Sequence, residues 1–485
     1  MTEATGALLP PPPPAGVVAA RRRAAPRWGV QTGLLQAGQP AFWLYVVAIV
    51  VGLLYALLLQ LAELITSPPG WLLSWVLLLL YILPVVLVIR FLDSYEREPR
   101  SMMLGAFLWG FLVAPLFAGF ANDFWGVVIA KLGGADFASD WSAALTAPVV
   151  EETYKYLGIV VLYLIARAEF DDLLDGFVYG ALIGLGFAVA EDLMYFIFNF
   201  GGSIGAVIQG FYLRVVLSGL YGHVTYTGIS GIGLAYFVTR RGDRSLARRT
   251  FVAGGLLLLA MGAHFFWNSP LLDSLPDFLF TTVKGMPFLI GLVILVYLAR
   301  KRENDDLAAV LAGETGQAGL LDVEMDDLRS WRIRRETSKK VRSAAGPAAA
   351  KLFDQLQKEQ LRLALVASSV DSVDDASLRE QRARCQALRL QLWQIPGTTE
   401  ALGLTPEAVD AARRAAPPPW APSRAVGQGG AWAFATPDWN DKRRIALQPA
   451  TPVQVIEERA SWVLVRAVNG WLGWTDTRYL AQPLA

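Results

Sequence analysis

The segment TAPVVEETYKYLGIVVLYLIA, residues 146–166, is apolar enough to enter a membrane, yet it carries Glu151, Glu152 and Lys155. An ionisable group in such a run is expensive and reads as functional by default. Glu151 and Lys155 are four residues apart and Glu152 and Lys155 three, so on a helix the amine neighbours both carboxylates. Lys155 then offsets one acid and leaves the other to act. FAVAEDLMYF sets Phe187 four residues before Glu191, with Asp192 next in sequence. HFFWN sets His264 four residues before Asn268, and YLRVVLSGLYGHVTYTGISG supplies Arg214 and His223. The chain has 2 histidines, and both lie in apolar runs. A carboxylate activates water, a histidine shares that work or binds a metal, and an asparagine or imidazole stabilises an oxyanion, so the set fits hydrolysis. Glutamate and histidine also suit zinc with an open position for water, and His223, His264 and Glu191 are the candidate ligands. No HExxH and no GxSxG occurs, so a metal site must be assembled from separate helices. The lone cysteine, Cys385, excludes an intrachain disulfide and a cysteine-rich zinc site.

Each residue also has a plainer reading. Thr146 as cap and Pro148 in a first turn would make Glu151 and Glu152 helix-start acids. The histidines would be interhelical hydrogen-bond partners, Asp192 a partner of Arg214, and Asn268 a C-cap. Lys155 and Arg214 read as counter-ions rather than reacting groups.

The elements that must carry these residues follow from hydropathy. The chain has 485 residues, 54% of them hydrophobic, with a net charge of +1 that gives no hint of nucleic-acid binding. The apolar runs predict eight membrane-spanning helices near 42–64, 71–92, 102–122, 146–166, 176–199, 212–238, 251–269 and 282–299. IGAVIQGFYL, at the start of the long run 204–238, reads as an interfacial or re-entrant piece or as a ninth crossing. RRRAAPR, SYEREPR, RAEFDDLLD, RRGDRSLARR and RKR then fall on one side, which places both termini in the cytoplasm. On that topology Glu151 and Glu152 lie about 8 Å and Glu191 about 12 Å from the outer ends of their helices. His264 and His223 come to a similar level, so the polar residues converge on one wet cavity in the outer half of the bilayer. Gly176, Gly180 and Gly184, at four-residue spacing, predict a close helix–helix approach. Residues 1–40 read as a Pro/Ala-rich basic tail rather than a signal peptide.

EETYK resembles the EExxK motif of the PrsW family of intramembrane proteases, relatives of the CAAX prenyl endopeptidases. FAVAE resembles that family's FxxxE element, His223 sits where a histidine-bearing element is expected, and HFFWN resembles its HxxxN element. DSYEREPR and FDDLLDGFVYGALIGLGF are also similar to family sequences, so the resemblance spans residues 75 to 300. Asp192 departs from it, since asparagine is expected after the glutamate. The resemblance implies an endopeptidase cutting a membrane protein, such as a membrane-anchored anti-sigma factor, near the outer face of the cell membrane. Glu151 and Glu152 would be the core catalytic pair, completed by Glu191, His223, His264 and Asn268. It leaves both a zinc mechanism and a metal-free glutamate mechanism open.

Residues 301–395 read as a soluble helical region, with a helix hairpin over 346–394 broken near SSVDSVDDAS, followed by a Pro/Gly-rich linker over 396–429. From 430 to 485, alternating residues and the NG pair at 469–470 resemble a small all-β SH3-like barrel. Trp462, Trp471, Trp474 and Tyr479 are candidates to line a groove for a peptide ligand. Two other functions fit the polar cavity or the soluble half: a transporter or channel, which needs a continuous polar path, and a membrane-anchored signalling scaffold, in which the intramembrane acids tolerate substitution.

Overall fold

Long apolar runs with proline or capping residues at their starts fold here into long helices. The computed structural model describes residues 32–93, 97–219, 222–314, 320–328, 331–370, 375–406, 409–410, 423–442, 444–466 and 472–481. The basic cluster in the tail, the NG pair and Trp471 lie outside the described residues, as do Ser94–Glu96 of the SYEREPR loop. The helices of the first part are α1 (Pro40–Thr66), α2 (Pro68–Leu92), α3 (Arg100–Gly133), α4 (Ala135–Ile165), α5 (Leu173–Asn199), α6 (Ile204–Leu217), α7 (His223–Thr239), α8 (Leu246–Asn268) and α9 (Asp277–Ala312). Pro40 and Pro68 open α1 and α2, where a missing N–H costs nothing. Asp172 and Asp175 form a reciprocal capping box at the start of α5.

Six of these helices, not eight, are long and apolar enough to cross a membrane: α1, α2, α3, α5, α8 and α9. This corrects the expected span count, and the two runs that drop out are those interrupted by polar groups or by a helix break. Residues 146–166 are the second half of α4, a helix of 31 residues whose apolar stretch is interrupted by Glu151, Glu152 and Lys155. Residues 212–238 are not one helix. α6 ends in a π-helical turn at Leu217, and α7, of 17 residues, begins afresh at His223. α6 is itself too short to cross. The protein is a multi-pass membrane protein. Leu44, Val47, Leu54 and Leu58 on α1 and Leu79, Leu83 and Leu87 on α2 are exposed, as a lipid-facing surface requires, whereas α5 is buried on nearly every side.

Helix α5 crosses α7 closely. A β-carbon at Gly176, Gly180 or Gly184 would stand 2.2, 2.3 and 2.3 Å from the carbonyl oxygens of Gly231, Thr227 and His223. Only glycine permits this approach, and it fixes the height of His223 and Thr227 against α5.

The chain divides into two units between Arg302 and Glu303. In the second, α10 (Asp322–Leu328), α11 (Trp331–Ser369) and α12 (Ala376–Leu392) form a helical layer, with α11 broken at Gly346 (φ 88°) ahead of Pro347. Arg389 and Arg382 are buried and paired with Glu324 and Glu314. The strands β1 (Arg424–Ala425), β2 (Ala431–Phe434), β3 (Arg444–Leu447), β4 (Pro452–Arg459), β5 (Trp462–Arg466) and β6 (Leu472–Asp476) make one antiparallel sheet, ordered β1-β4-β5-β6-β2-β3. Its end strands β1 and β3 do not pair, so the sheet is open and the expected barrel is corrected. β1 has 2 residues and offers too short an edge to close on β3. Trp474 is wholly buried in the core beneath the sheet, while Trp462 is half-buried and Tyr479 exposed.

Candidate functional site

α4 runs unbroken from Ala135, so Glu151 and Glu152 sit in mid-helix rather than at a start. Thr146 does not cap the helix, since its hydroxyl donates to the Ser142 carbonyl at 2.9 Å. Pro148, one turn before the acids, has no N–H, so the Ala144 carbonyl loses its helix bond within the run. The two acids then diverge. Glu152 is fully buried, with Oε1 taking Lys155 Nζ at 2.6 Å and His264 Nδ1 at 2.9 Å, and Oε2 taking the Thr227 hydroxyl at 3.3 Å. Glu151 faces a cavity of about 870 Å³ that also reaches Glu191, His223, His264 and Asn268. Its Oε1 accepts from Asn122 Nδ2 at 3.1 Å, and its Oε2, though buried, accepts no hydrogen bond among the described residues.

From Glu152 the polar contacts continue in a chain. Lys155 Nζ lies 2.9 Å from His223 Nδ1, and His223 Nε2 lies 2.9 Å from Glu191 Oε2. Arg214 Nη2 donates to that same oxygen at 2.7 Å and Nε to Asp192 Oδ1 at 2.6 Å. His223 is thus held between Lys155 at Nδ1 and Glu191 at Nε2. Phe187 sets this geometry: its ring meets His223 edge-on at 4.8 Å and lies 4.3 Å beneath the Lys155 ammonium. The FxxxE spacing thus places a wall and an acceptor on one face of α5. Arg214 is further held over the Tyr195 ring at 3.8 Å.

The predicted residues Glu151, Glu152, Glu191, His223 and His264 are brought together by α4, α5, α7 and α8. Asn268 lines the cavity and, among the described residues, bonds only the Ala143 carbonyl, at 3.4 Å, linking α8 to α4. The end of α8 is pinned by Lys284 of α9, whose buried ammonium donates to the carbonyls of Trp267 and Ser269 at 3.2 and 2.6 Å. Glu151, His223 and His264 each offer a ligand atom within 4.8 Å of the others, a plausible metal-binding cluster. The donor set fits a divalent ion of the zinc type. His264 gives Nδ1 to Glu152 and keeps Nε2, 3.8 Å from the open Glu151 oxygen, free for an ion, an arrangement in which an outer carboxylate orients a ligating histidine. Glu191, also expected as a ligand, is engaged by Arg214 and His223.

Sequence reasoning missed Asn122, Thr227, Tyr226 and Lys284. Thr227 follows His223 by one helical turn and Tyr226 by three residues, so the face that presents His223 presents them too. Asn122 and Lys284 are polar groups in apolar runs, the same signal that singled out EETYK.

Residues 98–299 match the family described as PrsW family intramembrane metalloprotease. Three relatives are each described as Protease PrsW. That of Geobacillus kaustophilus (strain HTA426) is 37% identical over 108 residues, 22% of this chain and 44% of the relative. That of Bacillus subtilis (strain 168) is 35% identical over 107 residues, 22% of this chain and 45% of the relative. That of Clostridioides difficile (strain 630) is 28% identical over 169 residues, 34% and 65% of the two chains. The chain therefore spans less than half the length of the first two relatives. No solved structure matches significantly. Within the membrane unit, residues 98–299 are therefore similar to the PrsW family.

Proposed function

We propose that the chain is an intramembrane endopeptidase of the PrsW type, which hydrolyses a peptide bond of a membrane protein near the outer face of the cell membrane. The observation that carries this is the Glu151 carboxylate: buried, open at Oε2, facing a large cavity and backed by two histidines. Glu151 holds the attacking water and receives its proton. Glu152 keeps Lys155 and His264 in place, Glu191 orients the His223 ring, and Asn268 faces the substrate. When bound, a divalent ion held by Glu151, His223 and His264 would supply Lewis-acid polarisation of the water, and zinc suits that donor set. The basic runs RRRAAPR and RKR support cytoplasmic termini. A membrane-anchored anti-sigma factor is the substrate class the resemblance implies.

The test compares the membrane proteomes of cells carrying the wild type and Glu151→Gln. A single-span protein should accumulate uncut in the variant, while the variant itself reaches wild-type levels in the membrane. Identical proteomes would sink the proposal. Metal analysis of the purified protein should give about one zinc per chain, reduced by His264→Ala.

A further inference from the structure

Buried polar groups are nearly always hydrogen-bonded, and one that is not calls for an explanation. The Tyr226 side chain is only 1% exposed and lines the cavity, yet its hydroxyl has no hydrogen-bond partner among the described residues. Its ring is fixed all the same. It stacks on His264 at 5.2 Å with 20° between the planes and meets His223 edge-on at 6.2 Å. Ala260 and Ala263 pack on the same ring. A rigid phenol is thus held with an unspent donor against both histidines, on the cavity that the open Glu151 oxygen faces. A phenylalanine would pack equally well at lower desolvation cost, so packing does not account for the oxygen.

We propose that Tyr226 is a catalytic residue whose hydroxyl donates a hydrogen bond to the oxyanion formed during peptide hydrolysis, an inference that rests on the protease reading. As the water oxygen bonds to the scissile carbon, the carbonyl π pair moves onto the substrate oxygen, and the water proton passes to Glu151. The negative charge on that oxygen is met by the Tyr226 O–H, which keeps its proton. On collapse the C–N bond breaks, and the departing nitrogen takes the proton from Glu151. A donor positioned before the reaction acts most strongly on charge that develops in a dry site, and removing one such donor costs about 10²–10³ in turnover.

The test uses the full-length chain in native membranes. Its reporter is the single-span protein that accumulates uncut in Glu151→Gln cells. Tyr226→Phe should slow reporter cleavage about 100-fold or more while leaving bound metal at the wild-type value and thermal stability at or above it, because the hydroxyl bonds none of the described residues. Tyr226→Leu, which also removes the ring, should lose both cleavage and stability. Cleavage by Tyr226→Phe within about threefold of wild type, with Glu151→Gln inactive, overturns the role of Tyr226 alone. The same follows if Tyr226→Phe is slow only because it unfolds or loses metal. Full processing by Glu151→Gln leaves no reporter and overturns both the protease reading and this one.

Discussion

Arg214 stands between two acids, and how it divides itself decides whether Asp192 helps or harms the site. It bonds Asp192 through Nε and Glu191 through Nη2, at 2.6 and 2.7 Å, so each acid holds the guanidinium in the plane the other needs. Glu191 in turn orients His223. Removing the cation leaves two neighbouring carboxylates without a counter-charge, whereas neutralising Asp192 leaves the Arg214–Glu191 contact intact. Arg214→Gln is therefore expected to lower reporter cleavage about 10- to 100-fold, and Asp192→Asn less than about threefold. In the double variant the two effects should not add, as expected of residues sharing one network; additive losses in cleavage assays would refute the shared role. The departure at Asp192 was legible in the sequence, and so was Arg214 as its partner. Legible too was the Glu152–Lys155 bond, because three-residue spacing on a helix brings two side chains together whatever the tertiary fold. The bond from Asn122 to Glu151 was not, since it joins α3 to α4 and depends on how those helices cross.

Helices were easier to foresee than their ends. Gly176, Gly180 and Gly184 announced a close crossing, and α7 supplies it, because only a surface without side chains lets two backbones meet. The start of α4 at Ala135 was hidden. Asp136, Ser139, Asp140 and Ser142 lower the hydropathy of its first turns without breaking the helix, and hydropathy reads apolarity rather than helicity. The break between α6 and α7 comes later than the sequence suggested, since IGAVIQGFYL marks off residues 204–213 whereas α6 runs on to Leu217. Alternation in the terminal segment predicted strands, which form, but carried no information on whether β1 and β3 would meet. At the mouth of α2 an ionisable group makes a pH prediction. Asp93, which caps the end of that helix, is buried and accepts the Glu98 N–H at 3.1 Å. Burial pushes its pKa up from 3.8 to about 7, with Asp172 adding to the rise and Arg97 and Arg90 opposing it. A raised carboxyl pKa means that stability is full below the unfolded value near 4 and is lost as pH rises through about 7. Asp93→Asn keeps an acceptor for the Glu98 N–H and never ionises. Its thermal stability in detergent should match wild type at pH 4 and exceed it at pH 8 by on the order of 2 kcal/mol; an advantage independent of pH would contradict the assignment.

At the scale of the whole molecule, the question is which part of the chain the chemistry needs. Every side chain in the polar chain from Asp192 to Glu151, and every residue lining the cavity, belongs to the unit ending at Arg302. The second unit has its own supports: the Arg382–Glu314 and Arg389–Glu324 pairs, the α11–α12 packing and the sheet core around Val453, Val463 and Val465. The family match likewise ends at residue 299. Lys284, which pins the end of α8, lies on α9, so a cut must spare that helix through Ala312. A chain stopped after Ala312 should therefore still insert and cleave the reporter within about fivefold of wild type, and Glu151→Gln in the shortened chain should remove that activity. Loss of cleavage in a shortened chain that keeps its thermal stability in membranes would mean instead that the second unit delivers the substrate. Fusing it back through linkers of increasing length would then restore the rate only while the linker remained short enough to raise the local substrate concentration.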